Sequence, residues 1–483
     1  MKNRIGISHK WPILISVAIG SFMSGLSSSM INISFPRLAA IFNTDASIVL
    51  WVTVAYLLVN TGLMAIAGKV GDIFGRKKVY ILGLGIFTLA LILCALSQSI
   101  IQLIIFRALQ GIGSAMVMAL SYAIVTATFA DEERGKALGV LTAVAMSGPL
   151  VGPVISGLIL DALDWRSLFY VIVPLGAIAL IMCWIFLKEQ KAPNTGSNID
   201  YLGAGMLFAA LSCLILFLNM GGRWGFASPV VMALIAASII LFIAFVIREK
   251  RISYPVVNLG LFKNKVFALS IVTYGLYSIS LSAFVFITPF FLIDGLGYST
   301  WQAGLFYVFS PLVTTLLAPL TGWLSDKVIP RILCTIGMAV VALGLYLFSR
   351  FNADSTTLSM LPAFIVYGVG VAFFNAPNAN RIMGSVTKDK LGLASALMTT
   401  MQHIGMSAGM ALFGLIYTVH LASESLRLAS QNLEPSIIQQ LSVIGSFKYG
   451  ILIAAVVAGL GIFTSVLQPS LPDKKEIKDR GNN

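Results

Sequence analysis

Apolar runs of about 20 residues, each long enough to cross roughly 30 Å of hydrocarbon, recur along the whole chain. A bilayer core offers no water to satisfy backbone N–H and C=O groups, so such runs are confined to helices that close their hydrogen bonds internally. Fourteen are legible: 11–34, 47–67, 79–97, 100–123, 136–160, 167–187, 201–220, 227–247, 265–293, 301–323, 331–350, 357–380, 391–417 and 447–468. The composition agrees, with 58% hydrophobic residues, 11% charged residues and a mean hydropathy of +0.92. The first run is too long, and ends in the wrong way, for a cleaved signal peptide. The expected class is an all-α polytopic membrane protein.

Charge sets the orientation. With an even number of spans both termini share a side, and the loops on that side hold 25 of the 32 basic residues. The opposite side holds Arg37, Arg166, Arg223, Arg350, Arg427 and Lys448, and Arg107 alone lies inside a span. The positive-inside rule therefore puts both termini in the cytoplasm of a cell whose plasma membrane the chain crosses. The net charge of +13 is scattered over short loops and serves topology, so no nucleic-acid partner is expected. Cys94, Cys183, Cys213 and Cys334 all fall within spans, without CxxC or Cys/His spacing. They read as small packing residues, with no disulfide framework, metal site or cofactor. No His/Asp/Glu cluster, phosphate loop or nucleophile–base pair points to an enzyme.

The residues between the second and third spans, Gly68-Lys69-Val70-Gly71-Asp72-Ile73-Phe74-Gly75-Arg76-Lys77-Lys78, form a charged, glycine-punctuated turn. A bilayer tolerates an acid and a basic cluster so near its core only where they have work to do. The pattern returns as Gly322-x-x-x-Asp326 after the tenth span, with Lys327 and Arg331 beyond it. Two equivalent six-helix halves follow, at 1–190 and 265–470, with a linker and two extra spans at 191–264 and a cytoplasmic tail at 471–483. Parallel repeats of this kind suit rocking around a midplane site.

Four motifs in order make the chain resemble the fourteen-helix drug:proton antiporters of the major facilitator superfamily. They are the 68–78 turn, with Gly68, Asp72, Gly75 and Arg76 in place; Arg107-x-x-Gln110-Gly111-x-Gly113 in the fourth span; Gly148-Pro149-x-x-Gly152-Pro153 with Gly157 in the fifth; and Trp165-Arg166, Phe169-Tyr170 and Pro174 around the sixth. The resemblance implies the superfamily fold and proton-linked export of drug-like or metabolite compounds. It also assigns gating residues. Asp72 with Arg134 in the next cytoplasmic loop would be a latch, echoed by Asp326, and Gly148, Pro149 and Gly152 would let the fifth helix bend and pack closely. Val144 and Pro153 depart from the fifth-span pattern.

One departure matters more. The family's first span carries an acid where this chain reads Leu26-Ser27-Ser28-Ser29-Met30-Ile31-Asn32, and Ser27 stands in its place. No acid falls clearly in mid-span. The remaining candidates for a proton carrier are His403 in the thirteenth span and Asp294 at the outer end of the ninth.

Neutral polarity replaces the acid. Ser24, Ser28 and Asn32 fall four apart on one face of the first helix, and Tyr56 and Asn60 do the same on the second. Arg107 and Gln110 follow on the fourth, then Tyr274, Tyr277 and Ser278 on the ninth, Tyr307 on the tenth, Asn375 and Asn378 on the twelfth and Gln402 on the thirteenth. Polar stripes on otherwise apolar helices face a cavity or another helix. Three substrates stay open: a drug-like or metabolite compound exported with proton coupling, a planar nutrient or vitamin such as a flavin, and a lipid or lipid precursor. The expected partners are a small-molecule substrate, protons if coupling operates, and the bilayer, for a monomeric carrier.

Overall fold

The computed structural model describes residues 7–129, 131–189, 200–252, 259–386, 391–431 and 433–469. Among the described residues, fourteen helices of 14 residues or more follow one another: α1 Ile7–Ile33, α2 Trp51–Phe74, α3 Arg76–Ala95, α4 Ile100–Thr128, α5 Asp131–Ala162, α6 Val173–Phe186, α7 Tyr201–Trp224, α8 Pro229–Glu249, α9 Lys265–Phe290, α10 Thr300–Lys327, α11 Pro330–Phe348, α12 Thr357–Gly384, α13 Leu391–Ala429 and α14 Pro435–Val466. Thirteen of the described helical stretches are long and apolar enough to cross a membrane, and Leu202–Leu218 in α7 is a shorter apolar helix. The protein is an all-helical, multi-span membrane protein, as the hydropathy predicts.

The helices divide into two compact units. The first takes in residues up to Cys213, Ile235–Val256 and Ser299–Leu305. There α1 packs on α5 and α6, α2 on α4, and α3 on α4. Glycines make these approaches: a Cβ on Gly148 of α5 would lie 2.6 Å from the Phe22 carbonyl oxygen and 2.8 Å from the Leu26 nitrogen of α1. Lys10 ties the start of α1 to Glu133 at the start of α5, at 2.5 Å. The Asp161 carboxylate, at the end of α5, accepts the backbone N–H groups of Thr300 and Trp301 at 3.0 and 3.1 Å.

The second unit takes in Leu214–Leu234, Val257–Tyr298 and Phe306 onward. Here α9 packs on α13 and α14, and α11 on α12 and α14. The internal repeat reappears as packing. In the first unit Gly83 of α3 faces Gly113 of α4; in the second Gly337 of α11 faces Phe374 of α12, and Gly370 of α12 faces Val341 of α11. Gly322, Asp326 and Gly337 stand at one constant offset from Gly68, Asp72 and Gly83.

Burial sets α8 apart from α9. The α9 span is 78% buried, whereas that of α8 is only 17% buried and is the most apolar of all. A helix apolar on every side and exposed along most of its length is suited to lipid contact. At its cytoplasmic end by charge, Arg248 of α8 holds the Asp200 carboxylate at 2.7 Å, and the Gly203 N–H donates to the same carboxylate at 2.8 Å. Asp200 is buried and Arg248 half-exposed, so one ion pair pins the entry of α7 to the exit of α8.

Candidate functional site

The polar residues of α1, α2 and α4 meet inside the first unit. Arg107, Gln110 and Ser114 fall on one face of α4 at helical spacing, and all three are fully buried. The Arg107 guanidinium donates from Nε to the Val52 carbonyl at 3.0 Å, and from Nη1 to Gln110 Oε1 at 2.6 Å and Ser27 Oγ at 3.0 Å. Gln110 Nε2 donates to the same Ser27 oxygen at 2.9 Å. Below this, Ser114 Oγ gathers Tyr56 Oη at 2.7 Å, Asn60 Nδ2 at 2.6 Å and Ser24 Oγ at 3.1 Å. The guanidinium also sits over the Tyr56 ring, 4.5 Å from its centroid, which is cation–π geometry.

What this network leaves open is as informative as what it closes. Arg107 Nη2 and the Asn60 and Asn32 carbonyl oxygens are buried without a hydrogen-bond partner. Among the described residues no carboxylate pairs with Arg107. A guanidinium cannot shed its proton, so the unit holds a permanent positive charge whose own side of the network is neutral. Buried polar atoms are normally paired, and each exception asks for an explanation.

The sequence stripes account for most of this cluster. Ser24, Tyr56, Asn60, Arg107 and Gln110 come together, while Ser28 is half-buried and Asn32 is buried, with no bond to the cluster. Two members escaped the stripes. Ser27 marks the missing acid yet accepts two of the central hydrogen bonds, and Ser114 is the hub of the lower half. Its place seven residues after Arg107 and four after Gln110 was the signal that could have found it.

In the second unit the polar face of α9 is largely aromatic. Tyr274 and Tyr277 stack at 5.9 Å, and both lie against Phe374 of α12 at 6.2 and 4.9 Å. Asn378 Nδ2 donates to the Ser270 carbonyl at 3.4 Å, and the side-chain oxygens of Asn375 and Asn378 have no partner. Tyr307 is committed elsewhere: its hydroxyl donates to the Phe284 and Val285 carbonyls, both at 2.8 Å, and its ring packs on Phe284. The Ser278 hydroxyl donates to the Tyr274 carbonyl of its own helix. Gln402 and His403 are half-buried on α13, and Asp294 is exposed in a π-turn, Phe291–Gly295, that ends α9.

Of the gating residues, the side chains of Asp72, Arg134 and Asp326 lie outside the described residues. Gly75 joins α2 to α3 at φ +103°, a backbone region open to glycine and strained for other residues. Arg76 Nη1 donates to the Ala123 carbonyl of α4 at 3.3 Å. The close approach within the turn belongs to Gly71, packed on Leu120, rather than to Gly68, whose nearest neighbour is Ala119 at 3.9 Å. Gly148 packs on the α1 backbone, Gly152 on Ser29, and Pro149 against Gly25.

Helices that bury polar networks and glycine crossings inside two repeated bundles define a membrane transporter. The family model of the Major Facilitator Superfamily matches residues 17–410, and the chain belongs to that superfamily. It is similar to the riboflavin transporter RibZ of Clostridioides difficile, with 32% identity over 84% of this chain and 88% of that protein. It is also similar to the multidrug resistance protein Stp of Mycobacterium tuberculosis, with 29% identity over 85% of this chain and 76% of that one. Among solved structures, a bacterial homologue of the human lysosomal transporter Spinster shares the fold, with a TM-score of 0.71 at 12% identity, covering 95% of this chain and 97% of that one. The protein is thus a multi-span transporter of the plasma membrane and not an enzyme.

Proposed function

We propose that this transporter carries a planar, neutral or anionic, hydrogen-bonding solute by alternating access, with a flavin as the concrete candidate. The observation that carries the reading is the meeting of Arg107 with Ser27. A carboxylate there would neutralise the guanidinium and offer a counter-charge to a lipophilic cation. A hydroxyl does neither, so cations are repelled and an electron-rich group is attracted. Arg107 Nη2 supplies open N–H donors and Asn60 an open carbonyl acceptor, the complement of a ring edge bearing C=O and N–H groups. The guanidinium–Tyr56 stack offers a flat polarisable surface beside them. The likeness to a riboflavin transporter supports the same class of solute.

Export of drug-like compounds is the second reading, favoured by the likeness to a multidrug resistance protein. Ligand-induced thermal stabilisation of the purified protein separates the two. A ligand of the folded state stabilises by about 2.7 kcal/mol at a hundredfold excess over Kd. Riboflavin and other planar neutral or anionic solutes are expected to raise Tm while lipophilic cations stay silent. Stabilisation by cations, with flavins silent, would overturn the proposal in favour of drug export.

A further inference from the structure

We propose that the second unit carries a phosphate-binding site at the end that the charge asymmetry assigns to the outside, separate from the transport site. The end of α11, the end of α13 and the first half of α14 border an open cleft of about 350 Å³ there. Its polar wall consists of Ser349 and Arg350 after α11, His420 of α13 and Lys448 of α14, with Tyr346 and Tyr449 at the mouth. The wall is ordered. The His420 ring stacks on Tyr449 at 4.5 Å and 21°, and its Nδ1 lies 3.3 Å from Ser446 Oγ.

Charge makes this a binding site. Only six basic residues fall on the outer side of the sequence, and two of them, Arg350 and Lys448, line one small cleft. Among the described residues neither is in an ion pair. The acid nearest to His420 along its helix is Glu424, and its carboxylate is already held by Arg427 at 2.5 Å. Two unpaired cations converging on one cleft repel each other and run against the positive-inside bias, and an anion between them removes both costs. An arginine fork binds a tetrahedral oxyanion through two parallel N–H bonds, with lysine as a point charge. Tyr346 and Tyr449 are 46% and 48% exposed, as interfacial aromatic residues are at headgroup depth. The ligand is therefore a phosphate group, carried by an outer-leaflet phospholipid or free in solution.

The full chain, in phosphate-free maltoside micelles, decides the matter by thermal unfolding. Three additions are compared: phosphatidylglycerol, a diacylglycerol with the same tails and no phosphate, and inorganic phosphate. Phosphatidylglycerol is expected to raise Tm and diacylglycerol to leave it unchanged. The double variant Arg350→Gln/Lys448→Gln should lose that rise, with affinity lowered roughly tenfold or more for each charged bond removed. Arg166→Gln, an outer cation of the first unit that is already paired with Asp164, should respond as the wild type. If inorganic phosphate gives the same rise and competes with the lipid, the site takes soluble phosphate; if it does not, the lipid is the ligand. The single variants guard against a double variant that fails to fold, since each must lose part of the rise. A rise of equal size in wild type and variants, or with diacylglycerol, would overturn the inference.

Discussion

Arg107 and Ser27 lie 3.0 Å apart, so a hydroxyl rather than a carboxylate at this one position leaves the network with a net positive charge. Ser27→Asp would put a carboxylate against a fully buried guanidinium and convert a hydrogen bond from a cation to a neutral hydroxyl into an ion pair. The expected outcome is a switch of ligand preference. Stabilisation by planar anionic solutes should fall roughly tenfold or more in affinity, and binding of lipophilic cations should appear. An unchanged ligand profile in Ser27→Asp would remove Arg107 from the site. Much of this cluster was legible from spacing alone, because residues three or four apart share a helix face whatever the helix packs against. What spacing cannot show is how each polar atom spends its bonds. Tyr307 lies on a polar stripe like Tyr56, yet its hydroxyl is consumed by two carbonyls of α9, whereas Tyr56 joins the Arg107 network. Ser27 was equally opaque: its importance comes from accepting two donors that arrive from another helix.

Helix pairs depend on two different devices, and each predicts its own failure. Gly148 approaches the α1 backbone, whose atoms cannot swing aside, so Gly148→Ala should destabilise by about 1–3 kcal/mol through overpacking. Gly139 lies on the same helix with nothing within 4 Å of a Cβ placed there. Its change to Ala should instead be neutral or stabilising by up to about 1 kcal/mol. Equal Tm changes for the two would mean that close packing does not set the α1–α5 approach. The α7–α8 pair depends on charge. Burial pushes the Asp200 carboxyl up, but Arg248 and the Gly203 N–H outweigh it and hold it below the usual carboxylate value. A lowered native pKa gives stability that is present above the unfolded value of about 3.9 and is lost as pH falls through the native one. Tm of the wild type should therefore fall more steeply than that of Asp200→Asn below about pH 4, while the variant is less stable at neutral pH. Parallel curves would show that the pair contributes nothing. Hydropathy located these elements but misjudged their ends. The fourteenth helix begins at Pro435 and the thirteenth runs to Ala429, because helical hydrogen bonding continues through polar segments such as Ser423–Arg427 that carry no apolar signal.

Across the whole molecule, the frame and the coupling give different messages. The repeat of Gly68 and Asp72 as Gly322 and Asp326 was legible in the residues themselves, whereas the α3–α4 glycine crossing that returns at α11–α12 shows only in the packing, where small residues let backbones meet. Driving force is written instead in titratable groups. A carrier driven by protons needs a group that gains and loses one within each cycle, in contact with the solute or with the helices that move. Arg107 keeps its charge at every physiological pH, and its partners Ser27, Gln110 and Tyr56 are hydroxyl and amide groups that do not ionise near neutrality. The first unit's network therefore has nothing to exchange with a proton gradient. In proteoliposomes, transport of the solute that stabilises the protein should follow that solute's own gradient and respond less than twofold to an imposed pH difference; roughly a tenfold gradient is worth 1.4 kcal/mol per coupled proton. His403→Ala and Asp294→Asn should leave this behaviour as it was. Uphill accumulation driven by the pH difference, and abolished by either substitution, would place the coupling in the second unit and restore the antiporter mechanism that the superfamily motifs imply.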